Sequence, residues 1–362
     1  MDTARFIVQT GPEKYELRER ALPEVGDDDA LLAVEACGIC GTDVEVFEGR
    51  SAARLPLVPG HEPVGRVVAI GEVARARWRL DEGDRVAVHS TLTCGRCRTC
   101  RAGLRGCTGP EFADGTIYGF RGPDIGPGLW GGFATHLYLA PEAILVPVSG
   151  EVSVAAASLF NVLANGVDWA LDLGGARYGT SVAVLGPGPR GLASVIAASA
   201  AGAGPIAVTG LAADRERLDL ALELGADHAL DVTDASAADA VQDALGQAPD
   251  LVIDTTPGSL ASVTDAVRMA GRKGTVVLAG LKGPGGLAPF PVDLACAKSL
   301  TVKGAVSRSL RSMEQAIALI ESGRWPLERF ASHAFSLENA EGALHALMSD
   351  DKPIHARIEP AL

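Results

Sequence analysis

The stretch SVAVLGPGPRG, residues 181 to 191, constrains the fold more than any other segment. A short apolar run reads as a buried strand, a glycine-rich turn follows at once, and the alanine-rich stretch behind it reads as a helix. The rhythm then repeats. PIAVTG leads into the helical DRERLDLALELG, and DLVIDTTP and GTVVLAG follow with helical segments between them. Strands alternating with helices predict a parallel sheet covered on both faces. Gly186, Gly188 and Gly191 form the Gly-x-Gly-x-x-Gly pattern at the strand-to-helix turn. There they permit the tight turn, admit a pyrophosphate to the backbone and bring helix and strand together. A dinucleotide is the expected ligand.

A preference for NAD would place a carboxylate at the end of the second strand, near the ribose hydroxyls. That position is Gly210. Downstream, Arg215 and Arg217 are within reach of a 2′-phosphate, although Asp214 could serve a ribose equally well and Arg217 also reads as a solvated helix residue. The balance leans towards NADP.

Before about residue 155 the pattern differs. LLAVEACG, PVGRVVAIG, DRVAVHS and HLYLAPEAILVPV read as strands of an all-β domain separated by Gly- and Pro-rich loops, the longest from Thr108 to about Gly131. After residue 300, the strand SLTVKGA, the helical SMEQAIALIESG and LENAEGALHALM, and a last strand IHARIEP are expected to return to that first domain. The boundaries so read are 1–155 with 300–362, and 156–299 between them.

With 362 residues the chain is long enough for two such domains, and its net charge of -13 opposes adhesion to nucleic acid or to an anionic membrane. A small molecule is the expected partner. The charged N-terminus lacks the apolar core of a secretory signal, so a cytoplasmic location is expected. Residues 191 to 208 imitate a membrane span in length, but Gly202, Gly204 and Pro205 divide them into a helix and a strand.

In a reducing compartment, CGRCRTCRAGLRGC reads as a metal site rather than a disulfide knot. Cys94, Cys97, Cys100 and Cys107 supply four thiolates from one loop, the closed shell of a structural zinc, which leaves no position for substrate. Chemistry must therefore sit elsewhere. CGICGTD and PGHEPVG offer Cys40, His61 and Glu62, the mixed sulfur, nitrogen and oxygen set of a catalytic zinc with one position open.

GICGTD, GHE, GDRV, the cysteine lobe, GGFA, GPGPRG and LENAEGAL occur in an order that resembles the zinc-dependent medium-chain dehydrogenase/reductase family, over essentially the whole chain. The resemblance implies a GroES-like β domain into which a Rossmann dinucleotide domain is inserted, and reversible oxidation of an alcohol or polyol. It implies two zincs, one structural and one catalytic, with NAD(P) accepting hydride. It also implies Cys40, His61 and Glu62 as catalytic ligands, Thr42 as the hydroxyl opening a proton relay, Asp43 as a carboxylate orienting a ligand, and a homodimer or homotetramer. Three positions depart from the pattern. Asn161 stands where a third Cys or Glu ligand is usual. Glu45 replaces a relay histidine, with a strand-end surface charge as its other reading. The last gap of the cysteine lobe is one residue short.

Two other readings are kept. One is a metal-independent reductase of activated C=C bonds, which Cys40, His61 and Glu62 oppose. The other is a nucleotide-binding protein without hydride transfer, which Asn161 invites. Among the remaining residues, Cys37 is expected to pack as a small apolar side chain and Cys296 as a buried thiol. His89, His136, His333 and His355 read as structural or surface histidines, and Trp130 and Phe160 as core.

Overall fold

The computed structural model describes residues 3–102, 107–109, 115–283, 285–305, 308–350 and 352–362, so residues 110–114 of the expected long loop lie outside the described residues. The chain divides into a unit formed by residues 1–159 and 331–362 and a second formed by residues 160–330.

In the first unit, β1 (Thr3–Gly11) and β2 (Lys14–Ala21) make an antiparallel hairpin. β3 (Ala30–Ile39), β4 (Pro63–Ile70), β5 (Arg85–Val88), β6 (His136–Leu139) and β7 (Leu145–Pro147) join two C-terminal strands, His333–Phe335 and Ala356–Ile358, in a seven-stranded sheet. Alternation along β3 sends Ala30, Leu32 and Val34 into one apolar cluster and Cys37 and Ile39 into another. Each fully buried Val or Leu contributes roughly 1.5–3 kcal/mol, so this strand is fixed from both faces. The antiparallel register sets Cys37 opposite Pro63. Cys40, just past the end of β3, and His61, just before β4, are thereby delivered to the same edge.

The first unit is not purely β. GTDVEVF, rich in β-branched residues, forms the helix Gly41–Phe47 because Asp43, at its third position, accepts the Cys40 N–H at 2.9 Å and caps the first turn. Glu45 is therefore a half-buried helix residue and not the strand-end charge of its bland reading.

In the second unit, β8 (Val182–Leu185), β9 (Ile206–Gly210), β10 (His228–Asp231), β11 (Leu251–Asp254), β12 (Thr275–Leu278) and β13 (Thr301–Gly304) form a parallel sheet in the order β10-β9-β8-β11-β12-β13. This is the doubly wound order of dinucleotide-binding folds, with the reversal between β8 and β11. Val182, Ala183 and Val184 are wholly buried and Leu185 nearly so, as a parallel strand covered on both faces requires. The helix Pro189–Ala200 begins with proline, whose fixed φ suits a first helical position. Its alanines let the helix Phe160–Val167 approach so closely that a Cβ on Gly166 would lie 2.4 Å from the Ala193 backbone.

β13 corrects one boundary. It pairs with β12, and the helix Leu310–Glu321 packs on Phe160–Val167, so residues 300–330 stay with the parallel sheet and the chain returns at Ala331. TVKG is a short edge strand with mostly exposed side chains, so its pattern carries no sign of which sheet it joins.

Candidate active site

One sulfur, one nitrogen and one oxygen converge at the edge shared by β3 and β4. Cys40 Sγ lies 3.4 Å from His61 Nε2, and His61 Nε2 lies 3.7 Å from Glu62 Oε1. All three donor atoms fall within 4.8 Å of one another. Zinc bonds of about 2.3 Å to sulfur and about 2.0 Å to nitrogen at tetrahedral angles separate those two atoms by about 3.5 Å, so the spacing fits.

The residues around this group explain its geometry. Gly60 adopts φ of +94°, and a Cβ there would lie 2.6 Å from both the ring Cδ1 and the backbone N of Phe133, so only glycine can turn the chain that presents His61. Gly38 leaves room for the Glu62 carboxylate, which a Cβ would meet at 2.6 Å. Asp43 is buried, and its Oδ1 lies 3.2 Å from His61 Nδ1 while its Oδ2 accepts the Cys40 N–H. One carboxylate thus positions two of the three donors. Burial disfavours the His61 imidazolium, but the charges of Asp43 and Cys40 outweigh it and hold the ring well above its ordinary value. The negative charge that attracts a proton there attracts a metal cation equally. Thr42 and Glu45 ride on the same helix, both half-buried.

Cys94, Cys97, Cys100 and Cys107 form a second group, their sulfurs all within 4.8 Å of one another. Cys97 Sγ and Cys107 Sγ are 3.9 Å apart, against about 3.8 Å for the edge of a four-sulfur zinc tetrahedron. Backbone N–H groups of Cys94, Cys97, Cys100 and Gly109 point at the sulfurs at 3.3–3.4 Å, which favours thiolates. Backbone N–H donation from Cys100 and Thr108 brings the Cys97 thiol down to about 5, while desolvation and the neighbouring thiols push Cys100 up to about 12. Four sulfurs this close need a cation before all can ionise, so the donor set fits a divalent metal.

In the second unit, Gly186 has φ of +92° and its N–H donates to Thr209 O at 3.0 Å, closing the turn after β8. Gly188 caps the helix with open space before it, the approach a pyrophosphate needs. Gly191 admits no side chain, because its Cβ would lie 2.0 Å from Gly186 O. Gly210 closes β9 against Pro187. Asp214 Oδ2 accepts the Leu211 N–H at 3.0 Å, and Arg215 extends into solvent beside Asp219. Arg217 is buried, contrary to its reading as a solvated residue, because it falls on the inward side of the helix Arg215–Glu223 with Leu218 and Leu220.

Asn161 lies in the second unit, buried on the helix Phe160–Val167, its carbonyl accepting from Asn165 Nδ2 at 3.1 Å. Cys37 is wholly buried and burial keeps its thiol protonated, whereas Cys296 is exposed on the helix Val292–Lys298, which buries none of its residues. His355 is buried, and burial with Arg357 nearby pushes it down to about 3, so it packs neutral. Trp130 and Phe160 are core. Sequence reasoning missed Thr255, which faces the glycine turn, and Gly38. The signal for Thr255 was its place directly after an apolar strand in DLVIDTTP.

Residues 26–150 match the alcohol dehydrogenase GroES-like domain and residues 189–322 the zinc-binding dehydrogenase domain. A Mycobacterium tuberculosis protein named probable alcohol dehydrogenase is 42% identical over 98% of both chains. The chain belongs to the zinc-containing medium-chain alcohol dehydrogenase family. Solved structures agree. An alcohol dehydrogenase from Thermotoga maritima superimposes with a TM-score of 0.87 at 25% identity, covering 99% of each chain. A protein of zinc-binding dehydrogenase type from Sinorhizobium meliloti, bound to NADP, gives 0.85 at 26% identity over 99% of this chain and 100% of its own. As an alcohol dehydrogenase of this family, the protein is an oxidoreductase that passes hydride between an alcohol or polyol and a nicotinamide dinucleotide, on a GroES-like domain and a Rossmann domain. Among the described residues, no helix is long and apolar enough to cross a membrane.

Proposed function

We propose that Cys40, His61 and Glu62 hold the catalytic zinc, that Cys94, Cys97, Cys100 and Cys107 hold a second, structural one, and that the enzyme interconverts a secondary alcohol or polyol with its carbonyl compound using NADP. The observation that carries this reading is the convergence of three unlike donors within 4.8 Å, two of them tied to one buried carboxylate. When bound, zinc supplies Lewis acidity towards the substrate oxygen and the nicotinamide supplies the hydride acceptor.

This chain's residues do the rest. Asp43 fixes the His61 ring and the Cys40 backbone, so the donor set is preorganised before any ligand arrives. Thr42, next to Asp43 at the helix start, offers the hydroxyl that receives the proton lost from the alcohol. Glu45, one turn further along the helix, is the carboxylate that then takes that proton. Asn161 is a weak donor for zinc, and the three donors of the first unit leave it no necessary part. A metal-free C=C reductase would have no use for this cluster.

NADP is favoured over NAD by what surrounds Gly210. Asp214 spends one carboxylate oxygen on the Leu211 N–H, while Arg215 keeps an exposed guanidinium near the end of β9. The NADP-bound relative from Sinorhizobium meliloti is in keeping with this. Initial rates with a panel of secondary alcohols and ketones should show substrate-dependent turnover, with kcat/KM for NADPH at least about tenfold above NADH. Dinucleotide binding without any turnover would overturn the enzymatic reading, and a preference for NADH would overturn the cofactor assignment.

We also propose a homodimer formed along β13. This strand ends the sheet order and leaves Val302 exposed, with Leu287, Phe290 and Val292 exposed in the preceding segment. Light scattering should give twice the chain mass, or four times it if such dimers pair into a tetramer, and a monomer would refute the assignment.

A further inference from the structure

Asp254, the last residue of β11, is wholly buried and forms an ion pair with Lys282. Its carboxylate accepts from Lys282 Nζ at 2.9 Å, from Ser262 Oγ at 2.9 Å and from the Thr256 N–H at 3.0 Å. Lys282, just beyond β12, is only 11% exposed at its side chain, and its Nζ also donates to Thr256 O at 2.6 Å and Ser262 Oγ at 3.0 Å. Every proton of this ammonium is thus spent within the protein. Removing two charges from water costs more than most buried ion pairs return, so such a pair is a poor device for stability and a better one for geometry.

The geometry it fixes is that of Thr255. Held between Asp254 and Thr256, Thr255 turns its hydroxyl to Leu185 O at 2.9 Å and to Gly186 O at 3.0 Å. Thr256 lies against the same turn, since a Cβ on Gly186 would meet its Cγ2 at 2.9 Å. The end of β11 is therefore the floor on which the glycine turn after β8 rests, at the point where the strand order reverses and a dinucleotide crosses such a sheet.

We propose that Lys282 is a positioning residue for the dinucleotide: by clamping Asp254 and Thr256 it holds Thr255 against Gly186 and so sets cofactor affinity. The proposal rests on dinucleotide binding at Gly186–Gly191. Titration of the zinc-loaded, full-length Lys282→Met variant with NADPH and NADH, followed by reduced-nicotinamide fluorescence, should raise the dissociation constant about tenfold or more. The kcat at saturating cofactor should stay within about threefold, and the zinc content should not change. Thr255→Val, which removes the hydroxyl but leaves the ion pair, should weaken binding in the same direction, and it carries the test if Lys282→Met does not fold. A folded Lys282→Met protein with a lowered melting temperature and an unchanged dissociation constant would overturn the proposal, as would unchanged affinity in Thr255→Val. A wild-type chain that binds neither dinucleotide would overturn this proposal together with the reading beneath it, an outcome distinct from failure in the variants alone.

Discussion

Gly191→Ala is expected to raise the KM for the dinucleotide about 100-fold while leaving the zinc content untouched. The added methyl would fall 2.0 Å from Gly186 O and 3.1 Å from Thr255 Oγ1. Carbon and oxygen do not approach within 3 Å, so the turn or the helix start must give way by about 1 Å. Displacements of that size at a binding turn cost about 100-fold, because the backbone N–H groups no longer meet the phosphates they are aimed at. The fold should survive. Val182–Leu185 and the face of the helix Pro189–Ala200 buried against it lie outside the immediate clash. Steady-state kinetics with the cofactor varied would show the effect in KM, with kcat largely retained at saturation. A KM within about threefold of wild type would mean that the pyrophosphate does not lie over this turn.

The second large effect is expected at Cys40. Cys40→Ala should lower kcat/KM for alcohol by about 1000-fold or more, about 4 kcal/mol of transition-state stabilisation. It deletes one of three donors and leaves His61 and Glu62 facing each other across 3.7 Å with no sulfur to complete the set. Asp43→Asn should cost less, about 10- to 100-fold, because it weakens the orientation of His61 without deleting a ligand. The ranking is itself diagnostic: if Asp43→Asn were the more damaging change, Asp43 would be acting on substrate directly. Asn161→Ala should change activity least of the three, as expected of a side-chain amide, a weak donor for zinc.

Much of this site was legible because its chemistry is written in short motifs. Cys40, His61 and Glu62 stand out as candidate metal donors from residue type alone, and the four cysteines from their spacing. What brings Cys40 to His61 was not legible, since it depends on the register that pairs Cys37 with Pro63, a contact between distant strands. Nor was the helix Gly41–Phe47, where a single capping carboxylate overrides the β-branched composition of GTDVEVF. The doubly wound sheet followed from the strand-helix rhythm, but the membership of β13 did not. An exposed edge strand of four residues has no apolar face to declare its partner. Lys282 was hidden for a further reason: a lysine in AGLKG reads as a solvated loop charge, and only the return of the chain to Asp254, 28 residues away, shows it paired and largely withdrawn from solvent. Cys296 shows the converse, an apolar-looking thiol that the helix Val292–Lys298 leaves exposed.

Zinc per chain decides whether Cys40, His61 and Glu62 hold a catalytic metal distinct from the one held by the cysteine lobe. Elemental analysis of protein purified without chelator should give two zincs for the wild type and one for Cys40→Ala, with the remaining ion lost only when a lobe cysteine such as Cys97 is replaced as well. One zinc in the wild type, unchanged in Cys40→Ala, would rule out a catalytic metal at Cys40 and confine the metal to a structural part.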